Sequence, residues 1–226
     1  MKIISFFKNS FYLILEYILI FKLYFLELLN RNAPIKWNTG ERGVVVLIPG
    51  FTEGLEHVRY LGNRLNEQGF RIIIPAISTK TKRIEDSAKE VLAELDDLGI
   101  TKPILIGHSK GALISCFIEK IKPGFSSKIV TISSPIKGSI WGHFRIMNLS
   151  EMIPNSKLLK YIQEIANEKI SLNIYPKVDN HVIPKSSLVL GKEDIDVEVD
   201  IVGHTRILFD DRVIILILCE LNNKDK

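Results

Sequence analysis

The stretch Ile104–Ala112, Ile-Leu-Ile-Gly-His-Ser-Lys-Gly-Ala, constrains the fold of this chain more than any other. Three apolar residues lead into Gly107-His108-Ser109-Lys110-Gly111, a G-x-S-x-G pattern, and Leu113, Ile114, Ile118 and Ile121 follow at helical spacing. The pattern predicts a buried strand that passes through one tight turn into a helix, with Ser109 on the strained corner and its hydroxyl held up. Glycine is needed two residues to either side, because a side chain there would collide with the neighbouring strand or helix.

The rest of the chain repeats strand and helix in alternation. Val44–Ile48 is a continuous β-branched run, as expected of a strand buried on both faces, and it ends at Pro49-Gly50-Phe51. Val58, Leu61 and Leu65 mark a helix closed by Gly69, and Phe70–Ile74 is a second strand. Ile84, Val91, Leu92, Leu95 and Leu98 mark the next helix. Further strands are predicted at Lys128–Ile132, Ser171–Tyr175 and Val197–Val202, and a helix in the tail Arg206–Leu221. This alternation calls for an α/β fold: a doubly wound, mostly parallel sheet of about six strands with helices on both faces. It occupies residues 33–226 as one domain, and 226 residues are enough for one sizeable core. The excursion from Ser134 to about Lys169 reads equally as ordinary core or as an apolar lid.

A serine hydroxyl is a weak nucleophile at neutral pH and needs a base that is itself held in place. On such a sheet, functional residues gather at the carboxyl ends of the strands. Asp179 follows the fifth strand and His204 the sixth, so both should arrive at the edge that carries Ser109. Ser109, Asp179 and His204 are the expected nucleophile, orienting acid and base. The backbone N–H groups of Lys110 and Phe51 are the expected oxyanion donors. Asp194 and Asp196 precede the last strand, and Asp200 alternates away from its apolar face, so none of them should reach His204. His181 reads as a surface loop residue.

Composition excludes several classes. The formal charge is +4 with no basic stripe, so no nucleic-acid partner is expected. The five histidines are dispersed, with no H-E-x-x-H or C-x-x-C, so no metal is expected. There is no P-loop motif. Cys116 and Cys219 both read as buried thiols rather than a disulfide.

Residues 1–32 form a separate N-terminal apolar helix, expected to anchor the chain to a membrane. From Phe11 to Leu29 there are thirteen Leu, Ile or Phe residues, interrupted by Glu16, Lys22 and Glu27. In a bilayer the apolar residues gain about 4–8 kcal/mol, while Glu16 and Lys22 together cost about 5–7. No small-residue cleavage site follows the apolar run. On a helical projection Lys8, Asn9, Glu16, Lys22, Glu27 and Asn30 share one half of the circumference, so a helix in the interface fits as well as one that spans. The alternative is a helix packed on the domain's own core or on a partner.

The elbow Gly107–Gly111, the strand ending in Pro49-Gly50-Phe51, Ser134-Pro135-x-x-Gly138, Ile153–Leu159, the Asp179-x-x-Val182-x-Pro184 loop and Gly203-His204 together resemble the α/β-hydrolase superfamily, and within it lipase-like serine esterases. The resemblance covers roughly residues 43–222; Lys110 departs from the more usual Gln, Met or Leu after the nucleophile. It implies a cofactor-free serine hydrolase that cleaves carboxylic esters of lipids or other apolar acyl groups through an acyl-enzyme on Ser109. An acyltransferase or thioesterase with the same triad, or an inactive membrane-tethered scaffold, are the other readings.

Overall fold

The computed structural model describes residues 2–30, 32–144 and 147–223. Met1 and Arg31 of the N-terminal segment, Arg145 and Ile146 of the excursion and the last three residues lie outside that set.

Six strands form one sheet: β1 (Val44–Ile48), β2 (Arg71–Ile73), β3 (Ile104–His108), β4 (Lys128–Ile132), β5 (Ile170–Val178) and β6 (Asp196–Val202). Their spatial order is β2-β1-β3-β4-β5-β6, and every neighbouring pair is parallel. β1 shows why its sequence is apolar without alternation. Val46 and Ile48 enter one core and Val45 and Leu47 the other, so both faces of the strand are covered. The first core is closed by α3 (Ile84–Asp97), α4 (Lys110–Ile121) and α5 (Lys157–Lys169); the second is closed by α2 (Leu55–Glu67) and α6 (Asp211–Asn222), with Trp37 buried beside α2. β6 is an edge strand. Glu198 and Asp200 point to water and Val199 and Ile201 into the core.

Each predicted strand is present within a few residues of its expected ends, and the tail is helical as α6. The excursion after β4 is both core and rim. Leu159, Ile162 and Ala166 of α5 are buried against the first core, whereas Ile140, Trp141, Phe144 and Met147 are exposed. Cys116 is buried, but Cys219 lies on the outer side of α6 and is exposed, which corrects the expectation of two buried thiols.

The N-terminal helix α1 (Lys2–Leu29) packs on the domain, against α2 and β6. No helix among the described residues is long and apolar enough to cross a membrane. Its polar half is split. Glu16 is fully buried and Glu27 mostly so, while Lys8 and Lys22 are exposed. Glu16 accepts hydrogen bonds from the amides of Thr205 (2.7 Å) and Arg206 (3.0 Å), just past β6. Glu27 accepts from the amide of Glu56 (2.6 Å), in the first turn of α2, which follows β1. These carboxylates satisfy amides that a turn and a helix start leave unpaired. The helix therefore crosses the carboxyl edge of the sheet from the loop after β6 to the loop after β1, and the stretch between the two glutamates measures about 16 Å at 1.5 Å per residue.

Candidate active site

Ser109 stands at the junction of β3 and α4 with φ 51° and ψ −121°, a left-handed conformation that a non-glycine residue adopts only under constraint. Packing supplies the constraint. The Ser109 amide donates to the carbonyl of Ile132 on β4 (2.9 Å). A Cβ on Gly107 would strike the backbone of Ala112, and one on Gly111 would overlap the carbonyl oxygen of Ile48. Helix and sheet approach so closely that only glycine fits, which is the physical content of the G-x-S-x-G spacing.

His204 and Asp179 meet across the ends of β5 and β6. His204 Nδ1 and Asp179 Oδ2 are 2.8 Å apart, and the other Asp179 oxygen accepts from the amides of His181 and Val182, each at 2.8 Å. The Asn180 side-chain oxygen accepts from the His204 amide at 3.0 Å. Burial opposes the Asp179 charge, but the neighbouring His204 and the two amides outweigh it and hold the carboxyl below the usual range. Burial likewise disfavours protonation of His204, yet Asp179, with Glu53 and Glu16 behind it, raises its pKa. With Nδ1 engaged by Asp179, Nε2 is the nitrogen left for a substrate-side proton.

The other acids lie elsewhere. Asp200 is exposed and pairs with Lys177 at 2.9 Å. Asp196, at the far end of β6, accepts from the amides of Leu190, Gly191 and Lys192 and so closes the loop before its own strand. Asp194 lies in the turn preceding β6.

Ser109 and His204 open onto one cavity of about 250 Å³ at the carboxyl edge of the sheet. Ile20 and Tyr24 of α1 line one side of it, and Trp141, Leu149 and Met152 of the excursion line another. Phe51 is also in the wall. Lys110 is the first residue of α4, so its amide has no carbonyl within the helix to bond. Its side chain runs the other way, fully buried, and Nζ donates to the carbonyls of Thr79 (3.0 Å) and Lys82 (2.7 Å) with Glu151 at 3.7 Å. Desolvation lowers its pKa against the pull of Glu151. The unusual lysine after Ser109 thus ties down the loop that follows β2. His181 also differs from expectation: it is no surface loop residue but lines the cavity, its ring 4.8 Å from that of His204. Burial, reinforced by the nearby His204 charge, lowers its pKa to about 4, so it is neutral near pH 7.

Sequence reasoning missed two carboxylates. Glu53 is buried beneath the cavity and bonds His108 Nδ1 at 2.7 Å and the Gly50 amide at 2.6 Å. Burial opposes its charge, but His108 beside it prevails and lowers it to about 2. It braces the turn that presents Phe51. His108 Nε2 lies 3.1 Å from the His204 carbonyl oxygen, which links this pair to the histidine loop. Glu53, His108 and His204 offer donor atoms within 4.8 Å of one another, yet both His108 nitrogens are engaged in these internal contacts. The second is Glu16, which accepts from the two amides that follow His204. Gly203, at φ 124° where side chains are rarely tolerated, lies directly against its carboxylate. The only signals were a carboxylate three residues past Gly50 and a charge inside an apolar run, and neither indicates a direction.

Residues 43–154 match the family described as the alpha/beta hydrolase fold. No curated protein sequence matches the chain. Among solved structures, it resembles one reported for LipS and LipT, two metagenome-derived lipolytic enzymes, with a TM-score of 0.68 and 14% identity over 83% of this chain and 96% of that one. It also resembles the enol-lactonase from Burkholderia xenovorans LB400, with a TM-score of 0.61 and 15% identity over 81% and 93%. A structure reported with the carboxylesterases of the thaumarchaeon Nitrososphaera gargenis gives a TM-score of 0.58 and 14% identity over 80% and 91%. At these identities the likeness is one of fold.

Proposed function

Since this chain belongs to the α/β-hydrolase fold family, we propose that it is a serine hydrolase of carboxylic esters with an apolar acyl group, working through an acyl-enzyme on Ser109. The observation that carries the reading is the 2.8 Å Asp179–His204 contact beside a cavity that Ser109, on its strained corner, also enters. In this reading His204 Nε2 takes the Ser109 hydroxyl proton as Oγ attacks the ester carbonyl carbon. The oxyanion is received by the amides of Lys110 and Phe51. Collapse breaks the C–O bond, and His204 hands its proton to the departing alkoxide. A water, deprotonated by His204, then releases the acid and restores Ser109. Asp179 keeps the imidazole in the required tautomer and stabilises its charged form without taking the proton. The apolar walls at Ile20, Leu149, Met152 and Val182 suit a hydrocarbon chain better than a charged one.

The test is a p-nitrophenyl ester series together with a fluorophosphonate probe. The probe should add once, at Ser109, and hydrolysis should favour medium acyl chains over acetate. Labelling that persists in Ser109→Ala, or a folded wild-type protein that hydrolyses no ester and takes no probe, would overturn the reading.

A further inference from the structure

The helix α1 is amphipathic and docked the reverse of the usual way. On a surface helix the apolar stripe faces the core and the charges face water. Here Glu16 and Glu27 point into the domain and bond backbone amides, and among the described residues of the helix Leu23 is buried with Leu19, Ile20 and Leu26 half-buried. The opposite face carries Phe11, Ile14, Ile18, Phe21, Phe25 and Leu29, each between 55% and 77% exposed. At 1.5 Å per residue that face is about 27 Å long. An uncovered apolar strip of this length is costly in water and marks an interaction surface.

Two observations identify what covers it. The first is continuity with the cavity. Ile20 and Tyr24 wall the cavity from the α1 side, Trp141 walls it from the other, and Trp141 stacks near Phe144, which is exposed together with Ile140 and Met147. The apolar strip and the apolar rim thus flank one mouth. The second is charge. Both described carboxylates of α1 are turned inward, whereas Lys8 and Lys22 are exposed, so the outer half of the helix is cationic. A cationic border around an apolar face complements an anionic lipid layer. A second copy of the chain docked here would cover the mouth; a lipid layer would supply it.

We propose that α1 is the seat of a lipid surface: it lies in the plane of an anionic phospholipid interface by its outer face, holds the cavity mouth against that interface, and lets an acyl ester enter from the lipid between Tyr24 and Trp141. The helix neither spans the layer nor acts as a detachable leash. The identity of the substrate rests on the ester-hydrolase reading, while the seat itself does not.

The experiment uses the full chain and vesicles of phosphatidylcholine with or without phosphatidylglycerol, read by flotation, with p-nitrophenyl acetate hydrolysis and light scattering alongside. The wild type should float, and more strongly with phosphatidylglycerol. The triple variant Ile18→Gln, Phe21→Gln, Phe25→Gln keeps good helix formers and alters no cavity-lining residue. Its partition should fall at least ~100-fold, since each large apolar side chain taken from water is worth about tenfold or more. Its p-nitrophenyl acetate turnover should be unchanged, and its hydrolysis of vesicle-borne ester should fall with its binding. A wild type that stays in solution with both vesicles would overturn the seat. So would a wild-type dimer that the triple variant converts to monomer without any flotation, which would assign the face to a second copy. Flotation without any ester hydrolysis would leave the seat standing and remove the esterase reading instead.

Discussion

Two buried carboxylate–histidine pairs sit side by side at this sheet edge, and they are built for different work. Asp179–His204 and Glu53–His108 have nearly equal contacts, 2.8 Å and 2.7 Å, and the two imidazoles lie 4.7 Å apart. In the first, one nitrogen is held by Asp179 and the imidazole belongs to a residue that lines the cavity. In the second, both nitrogens are spent, one on Glu53 and one beside the His204 carbonyl. A carboxylate beside a histidine is therefore not evidence of catalysis. What matters is whether the far nitrogen is free and what it faces.

The comparison is broken most directly at Asp179. Asp179→Asn keeps the shape and removes the charge that orients and stabilises the imidazolium. A loss in kcat of about 10⁴-fold is expected, as in the serine-protease precedent, with an unchanged circular dichroism spectrum. If Glu53→Gln costs as much and Asp179→Asn costs little, the two pairs have been assigned the wrong way round.

Glu53→Gln is expected to cost ~10–30-fold in kcat, much less than loss of an oxyanion donor outright, because the Gly50–Phe51 turn is loosened rather than removed. It should also lower stability by about 1–3 kcal/mol, as the buried His108 and Gly50 donors lose a charged acceptor. Thermal unfolding measures the second effect, and at Asp179 it should be accompanied by the far larger kinetic one.

Glu16→Gln should cost only ~3–10-fold in kcat/KM, because Glu16 acts through the loop that holds His204 and not on substrate. Its informative readout is pH. His204 has a raised pKa, and as the neutral base of the proposed mechanism it should give kcat/KM an acid limb with its midpoint above 6.5, with activity lost as pH falls. Glu16 is one of the charges that raise it, so Glu16→Gln should move that midpoint downward. The stability linkage has the opposite sign. The protonated His204–Asp179 pair supports the fold below about 6.5, and that support is lost as pH rises through the folded-state value. A midpoint that does not move would reduce Glu16 to a structural cap.

The smallest kinetic effect is expected at Lys110. Lys110→Met leaves the elbow amide in place, so kcat should stay within ~3-fold, while the Thr79 and Lys82 carbonyls lose their donor. Stability should drop by about 1–2 kcal/mol, measured by urea unfolding.

The sequence by itself determined the sheet, its strands to within a few residues, and the loops that bring Asp179 and His204 together beside the Ser109 corner. Runs such as Val44–Ile48 and Lys128–Ile132, bounded by turn residues and alternating with helical patterns, read as strands covered on one or both faces, and Gly107 and Gly111 report a close approach of helix and strand that no other residue permits. Asp179 and His204 were legible because chain order and strand ends place them together, and Asp200 could be set aside by alternation alone. Only the tertiary structure decided what the remaining charges touch. Glu16 and Glu27 bond backbone amides of distant turns, and a backbone amide looks the same in every sequence, while Glu53 reaches His108 from a loop after another strand. Amphipathic spacing says which residues share a face of α1 but not which way the face turns. Here the amides left unpaired after β6 and at the start of α2 drew the carboxylates inward, so the apolar residues were left outside.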